Sequence, residues 1–118
     1  MFPTPGSRVG IKTPPRLAHG YVVRSLDLRT IASGTFRPDP RKRTIAHLIA
    51  NGAFTFAPQT EESVIVVEVT NGASAGAITN SGYTKVGGDS YTTTNGNKYL
   101  FVSTRSRNYS YLNIVALQ

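Results

Sequence analysis

The chain has no cysteine, no tryptophan, one methionine and only six acidic residues in 118. Without cysteine there can be no disulfide, no thiolate metal site and no disulfide-stapled secreted scaffold. The two histidines, His19 and His47, have no Gly-x-Ser-x-Gly elbow to serve, and nothing near His47 supports general-base work. His47 therefore reads as a packed or rim residue. Glu61 and Glu62 are adjacent, so on a strand they point to opposite faces and do not pair as an acid and base. Asp89 stands alone, short of the clustered carboxylates a calcium site needs. No catalytic residue, metal site or cofactor is expected. No apolar run approaches the ~20 residues that cross a bilayer. Met1 to Gly6 lacks the apolar stretch of a signal peptide. The expectation is a single soluble domain made in the cytoplasm, with a modest core drawn from 39% hydrophobic residues.

The charge is uneven. The net charge is +7. Residues 1–50 hold Arg8, Lys12, Arg16, Arg24, Arg29, Arg37, Arg41, Lys42 and Arg43 against Asp27 and Asp39, a balance of nine to two. Residues 51–118 hold four cations and four acids. The whole excess lies in the N-terminal part, the pattern of a basic arm beside a neutral body.

Residues 1–20 contain Pro3, Pro5, Pro14 and Pro15 with three glycines. Proline removes a donor and fixes φ, so an extended arm is predicted there. Residues 21–118 are predicted to form one domain, with 21–43 a first strand and basic connector and 44–118 the main body. The first strand, Tyr21 to Leu28, does not alternate cleanly. From Thr44 the chain is a series of short β-strands. Asn51-Gly52 reads as a type I′ turn, and Asn71-Gly72 as an Asn-Gly turn that ends a strand. Phe54 and Phe56 share one face by the two-residue period and are the first candidates for the core. Val64 to Val69 is apolar on both faces, as a central strand would be. Gly87-Gly88 reads as a turn and Asn95-Gly96 as another. Lys98–Thr104 and Tyr109–Leu117 form a final hairpin, with Leu112, Ile114 and Ala116 on one face of the return strand and Tyr111, Asn113 and Val115 on the other. Regular short strands with Gly and Asn turns predict an all-β fold, an antiparallel, jelly-roll-like β-sandwich.

Seven arm and connector cations are candidate partner-binding residues: Arg8, Lys12, Arg16, Arg37, Arg41, Lys42 and Arg43. Arginine predominates among them, and its planar fork suits bidentate pairing with carboxylates at interfaces. A nucleic-acid barrel would interleave cations and aromatics on one sheet face. Here Tyr99, Phe101, Tyr109 and Tyr111 lie in the neutral half, with Arg105 and Arg107 at the hairpin tip beside them, and the other basic residues sit mostly in the arm, so nucleic acid is a third-ranked partner. Tyr83, Tyr91, Tyr109 and Tyr111 are candidate stacking residues for a receptor or sugar. The plainer alternative puts half of these tyrosines in core pairs.

Several runs carry a resemblance. They are Asn51 to Pro58 (NGAFTFAP), Val69 to Thr79 (VTNGASAGAIT), Ser81 to Thr84 (SGYT), Thr92 to Tyr99 (TTTNGNKY) and the closing Val115-Ala116-Leu117-Gln118. In this order they resemble a β-sandwich module recurrent in structural, fibre-like and surface proteins of tailed bacteriophages. The likeness covers about residues 51–118. It implies a non-enzymatic virion protein assembled in the bacterial cytoplasm. Its partners would be capsid, neck or tail proteins, and it would be a homo-oligomer, a trimer first. A receptor- or glycan-binding fibre tip is the alternative role. No membrane is implied, and no catalytic residue is carried over.

Overall fold

The computed structural model describes residues 24–118. The predicted arm, residues 1–20 with Arg8, Lys12 and Arg16, lies outside the described residues, as does the start of the predicted first strand. The described residues are all-β. Nine strands follow in order: β1 (Leu26–Ile31), β2 (Thr35–Phe36), β3 (Ile45–Ala50), β4 (Phe54–Phe56), β5 (Ser63–Asn71), β6 (Ile78–Asn80), β7 (Lys85–Gly88), β8 (Lys98–Arg105) and β9 (Ser110–Ala116). They form a six-stranded sheet ordered β1-β3-β5-β8-β9-β7 and a three-stranded sheet ordered β2-β4-β6.

The strand directions correct the antiparallel, jelly-roll-like expectation. β1 with β3, β3 with β5, β2 with β4, β4 with β6, and β7 with β9 all pair in parallel. Only β5 with β8 and β8 with β9 are antiparallel. Through β6 the chain alternates sheets at every strand, so it climbs as a coil of three stacked turns. Leu26 pairs with Ala46, and Ala46 with Val67, 20 and 21 residues apart. In the small sheet Thr35, Thr55 and Thr79 lie in register. The β8–β9 hairpin then wedges between β5 and β7.

The reason lies at the corners. Asn51-Gly52 and Asn71-Gly72 join strands of different sheets, so neither is a hairpin turn. Neither glycine takes a positive φ, the requirement of a type I′ turn. Their asparagines bond onward instead. Asn51 Oδ1 accepts from Ser74 N at 2.8 Å, and the backbone stacks through Asn51 N to Ile31 O at 3.0 Å and Gly72 N to Ala50 O at 2.8 Å. Gly87-Gly88 is likewise no turn. It forms the end of β7, with Gly88 at φ 94° against the Ile114 backbone. Thr94 to Asn97 is a true turn, with Gly96 at φ 87°.

The core lies between the two sheets. β3 contributes Ala46, Leu48 and Ala50, and β5 contributes Ile65, Val67 and Val69. Phe54 and Phe56 meet them from the small sheet, as their shared face predicted. Phe56 is 5.0 Å from Phe101 across the layers and 5.3 Å from Phe36 along its own sheet. Burying each such ring stabilises the fold by roughly 1.5–3 kcal/mol. β5 is an interior strand of the large sheet, as its apolar content predicted. Leu112, Ile114 and Ala116 face inward on β9. Among the described residues, the predicted first strand overlaps β1 only at Leu26–Leu28. β1 bulges between Asp27 and Thr30, where Arg29 sits at φ 61° and its N–H donates to Asp27 Oδ1 at 2.8 Å.

Candidate functional site

Three surfaces of the described residues present chemistry to a partner. The first is the outward face of the six-stranded sheet. Alternation that buries Leu48, Val67 and Phe101 must turn their neighbours outward. Ile45, Val66 and Val102 therefore form one apolar row across β3, β5 and β8. The next row runs His47, Glu68, Leu100 and Val115. Ile45 is 40% exposed and Val64 54%. Charges interrupt this face: Glu68 stands on interior β5 with Lys98 Nζ 3.9 Å away, and His47 Nδ1, on β3, lies 3.8 Å from Asp27. His47 is thus a half-exposed residue of the outward face. No three His, Asp or Glu side chains among the described residues converge as metal ligands.

The second surface is the basic connector between β2 and β3. Asp39 organises it: its carboxylate accepts from Arg41 N at 3.0 Å and its carbonyl from Lys42 N at 3.1 Å. The three consecutive cations then divide their work. Arg41 is consumed within the molecule by a bidentate pair with Glu61, Nε to Oε1 at 3.0 Å and Nη2 to Oε2 at 2.8 Å. That pairing holds the Glu61 carboxyl below its ordinary value. Arg37 Nη1 donates to the Pro58 carbonyl. Lys42 and Arg43 have no carboxylate within ion-pair distance among the described residues, and Arg43 Nη1 donates only to the neighbouring Lys42 carbonyl. Of the connector cations, Lys42 and Arg43 remain for an outside partner.

The third surface is a shallow groove of about 510 Å³ beside the β8–β9 hairpin, lined by Lys85, Thr104, Tyr109 and Tyr111 among others. Tyr109 is 50% exposed. Tyr111 is half-buried, with its ring beside Gly87. Arg105 and Arg107 flank the hairpin turn, which closes through Ser106 N to Tyr109 O at 2.8 Å.

The other two candidate tyrosines turn inward, which corrects their assignment as receptor-facing. Tyr91 donates to the buried Asn71 Oδ1 at 2.7 Å and packs 5.0 Å from the Tyr99 ring. Asn71 Nδ2 also donates to the Thr92 and Thr94 carbonyls, so it clamps the segment before β8 over the core. Tyr83 packs against Phe56 and its hydroxyl lies 2.7 Å from Ser103 Oγ. Ser103 Oγ already donates to Gln59 Oε1 at 2.6 Å, so Tyr83 is the donor. Both tyrosines serve packing because a half-buried phenol needs an interior partner, and each found one.

Burial pushes the Tyr83 hydroxyl up to about 12. The folded value lies above the ordinary 10.0, so folding favours the protonated phenol. The associated stability is full below pH 10 and is lost as pH climbs towards 12. Tyr83→Phe is expected to flatten the fall in melting temperature across that window while costing about 1 kcal/mol at neutral pH. Thermal melts of both proteins at neutral and alkaline pH check this, and parallel alkaline slopes would rule it out.

Comparison with protein-family models, curated proteins and solved structures gives no match for this chain.

Proposed function

We propose that the protein is a non-enzymatic structural component of a tailed-phage virion, a homo-oligomer held to the capsid, neck or tail by its basic N-terminal part. The observation that carries this reading is the apolar row Ile45, Val66 and Val102 on the outward face of the six-stranded sheet. An exposed apolar row on an open sheet face is a surface that association would cover. The whole six-stranded face, its polar and charged positions included, spans roughly 600 Å², close to the ~800 Å² each partner contributes to a standard interface. Three copies around one axis would cover it and leave the basic connectors free to attach. The ordered runs NGAFTFAP, VTNGASAGAIT and TTTNGNKY and the terminal VALQ support the phage assignment.

Two measurements test it. Light scattering of the wild type should give an oligomer, and Val102→Glu, on the outward face, should give a folded monomer. Deleting residues 1–20 should leave a folded body that no longer joins particles. Normal occupancy of the truncated protein in particles would end the anchoring reading, and a monomeric wild type would end the oligomer.

A second reading is a receptor- or glycan-binding module at a fibre tip. The groove holding Tyr109, Tyr111 and Lys85 favours it, since an exposed ring beside a cation suits sugar stacking. A glycan array without a hit would remove it.

A further inference from the structure

Among the described residues the coiled stack ends at β1. This strand is the edge of the large sheet among the described residues, and β2 is the matching edge of the small one. Between the two edges lies a cavity of about 100 Å³, walled by Leu26, Leu28, Phe36 and Ala46. That is room for several waters or one branched aliphatic side chain. Arg37, Lys42 and Arg43 stand at its rim with one acid, Asp39. Asp39 is engaged with the Arg41 amide, whereas Lys42 and Arg43 meet no carboxylate among the described residues.

We propose that this end is a docking site for an extended acidic segment of a neighbouring protein. The segment would add alongside β1 as a further strand, pair its carboxylates with Lys42 and Arg43, and place one apolar side chain in the cavity. On either side of its bulge, where the Arg29 N–H is taken by Asp27, this edge supplies main-chain hydrogen bonds, and a pocket between the layers supplies side-chain selection. Charge complementarity identifies the occupant. Residues 1–23 of this chain carry Arg8, Lys12 and Arg16 and no acid, so they offer no carboxylate to a cationic rim. Elsewhere the chain has one adjacent acidic pair, Glu61-Glu62, and Glu61 is bound to Arg41. A segment rich in carboxylates must come from a different protein. The site rests on the assembly reading for its biological partner, but its chemistry stands apart from it.

The test uses the full chain and fluorescently labelled octapeptides of glutamate and threonine with one central leucine. Two matched controls replace the leucine by serine or the glutamates by lysine. By fluorescence anisotropy the glutamate–leucine peptide should bind at least tenfold tighter than either control and weaken with added salt. The double variant Lys42→Glu/Arg43→Glu lies on the exposed connector, so it should keep the wild-type melting temperature and lose at least tenfold in affinity. Equal binding of the leucine and serine peptides would reduce the site to general surface charge and overturn it. Equal binding of the lysine peptide, or an unaffected double variant, would overturn it as well. A protein that enters particles yet ignores the peptide refutes this site alone. One that binds the peptide yet is absent from particles refutes the virion reading alone.

Discussion

Gly52→Ala is expected to cost on the order of 3 kcal/mol and to act by prising apart successive turns of the coil. A Cβ at this position would lie 2.2 Å from the Ala32 carbonyl oxygen and 2.9 Å from the Ala32 Cα. Those atoms are backbone of the preceding turn, so no side-chain rotation relieves the clash. The effect owes nothing to unusual backbone angles, because Gly52 is absent from the positive-φ residues. Gly34 is the internal control. It sits at φ 80°, and a methyl group there would meet nothing within 4 Å, so Gly34→Ala should cost only the ~1–2 kcal/mol of a left-handed conformation. Urea unfolding of the two variants should show the larger loss at Gly52. Hydrogen exchange should localise it, with faster exchange at Asn51 N, whose partner is the Ile31 carbonyl. A larger loss at Gly34, or unchanged Asn51 exchange, would show that the corner does not depend on close approach.

That corner also explains what was legible in the sequence. Local periodicity marked the strands well. Phe54 and Phe56, and Leu112 and Ile114, follow from a two-residue alternation that depends on nothing distant, and the interior strand at Val64–Val69 follows from its apolar run on both faces. Strand direction was not legible, because Asn-Gly is the same dipeptide at a hairpin tip and at a corner between sheets. What distinguishes the two is φ at the glycine and the neighbour it touches, and both are set by the next turn of the coil. The coil has no repeating motif to announce it. Its turns match in small residues at contact points, Ala32 against Gly52 and Gly76 against Ala53, and the spacing drifts from 20 to 24 residues between Thr35, Thr55 and Thr79.

The candidate surfaces were legible in part for related reasons. The cation cluster Arg41-Lys42-Arg43 was plain, but its division was not, since Glu61 lies 20 residues downstream. Tyrosines set among Gly, Ser and Thr read as exposed. Two of the four instead reach inward to Asn71 and Ser103, and those pairings cross the fold. The apolar row on the outward face became visible only with the register that aligns Ile45, Val66 and Val102.

Gln59 left no sequence signal, and Gln59→Ala is expected to be among the most damaging polar substitutions, at about 3 kcal/mol or more. The residue follows Pro58 in a loop, yet it is fully buried. Its Nε2 donates to the Ser63 carbonyl at 3.0 Å and the Ser103 carbonyl at 2.9 Å, while its Oε1 accepts from Ser103 Oγ. One amide thereby ties the segment after β4 to the start of β5 and the middle of β8, and through Ser103 to Tyr83. Alanine would remove both donors and the acceptor in a site closed to water. Gln59→Glu separates the donors from mere volume. A carboxylate there would face two carbonyl oxygens, so folding should favour the protonated acid and raise its folded pKa. Its contribution is then full below the ordinary glutamate value of about 4.3 and lost as pH rises. The variant should melt closer to wild type at pH 4 than at pH 7, whereas the deficit of Gln59→Ala should not shrink in this way. A Gln59→Glu protein as stable as wild type at pH 7 would show that the amide does not donate to those carbonyls.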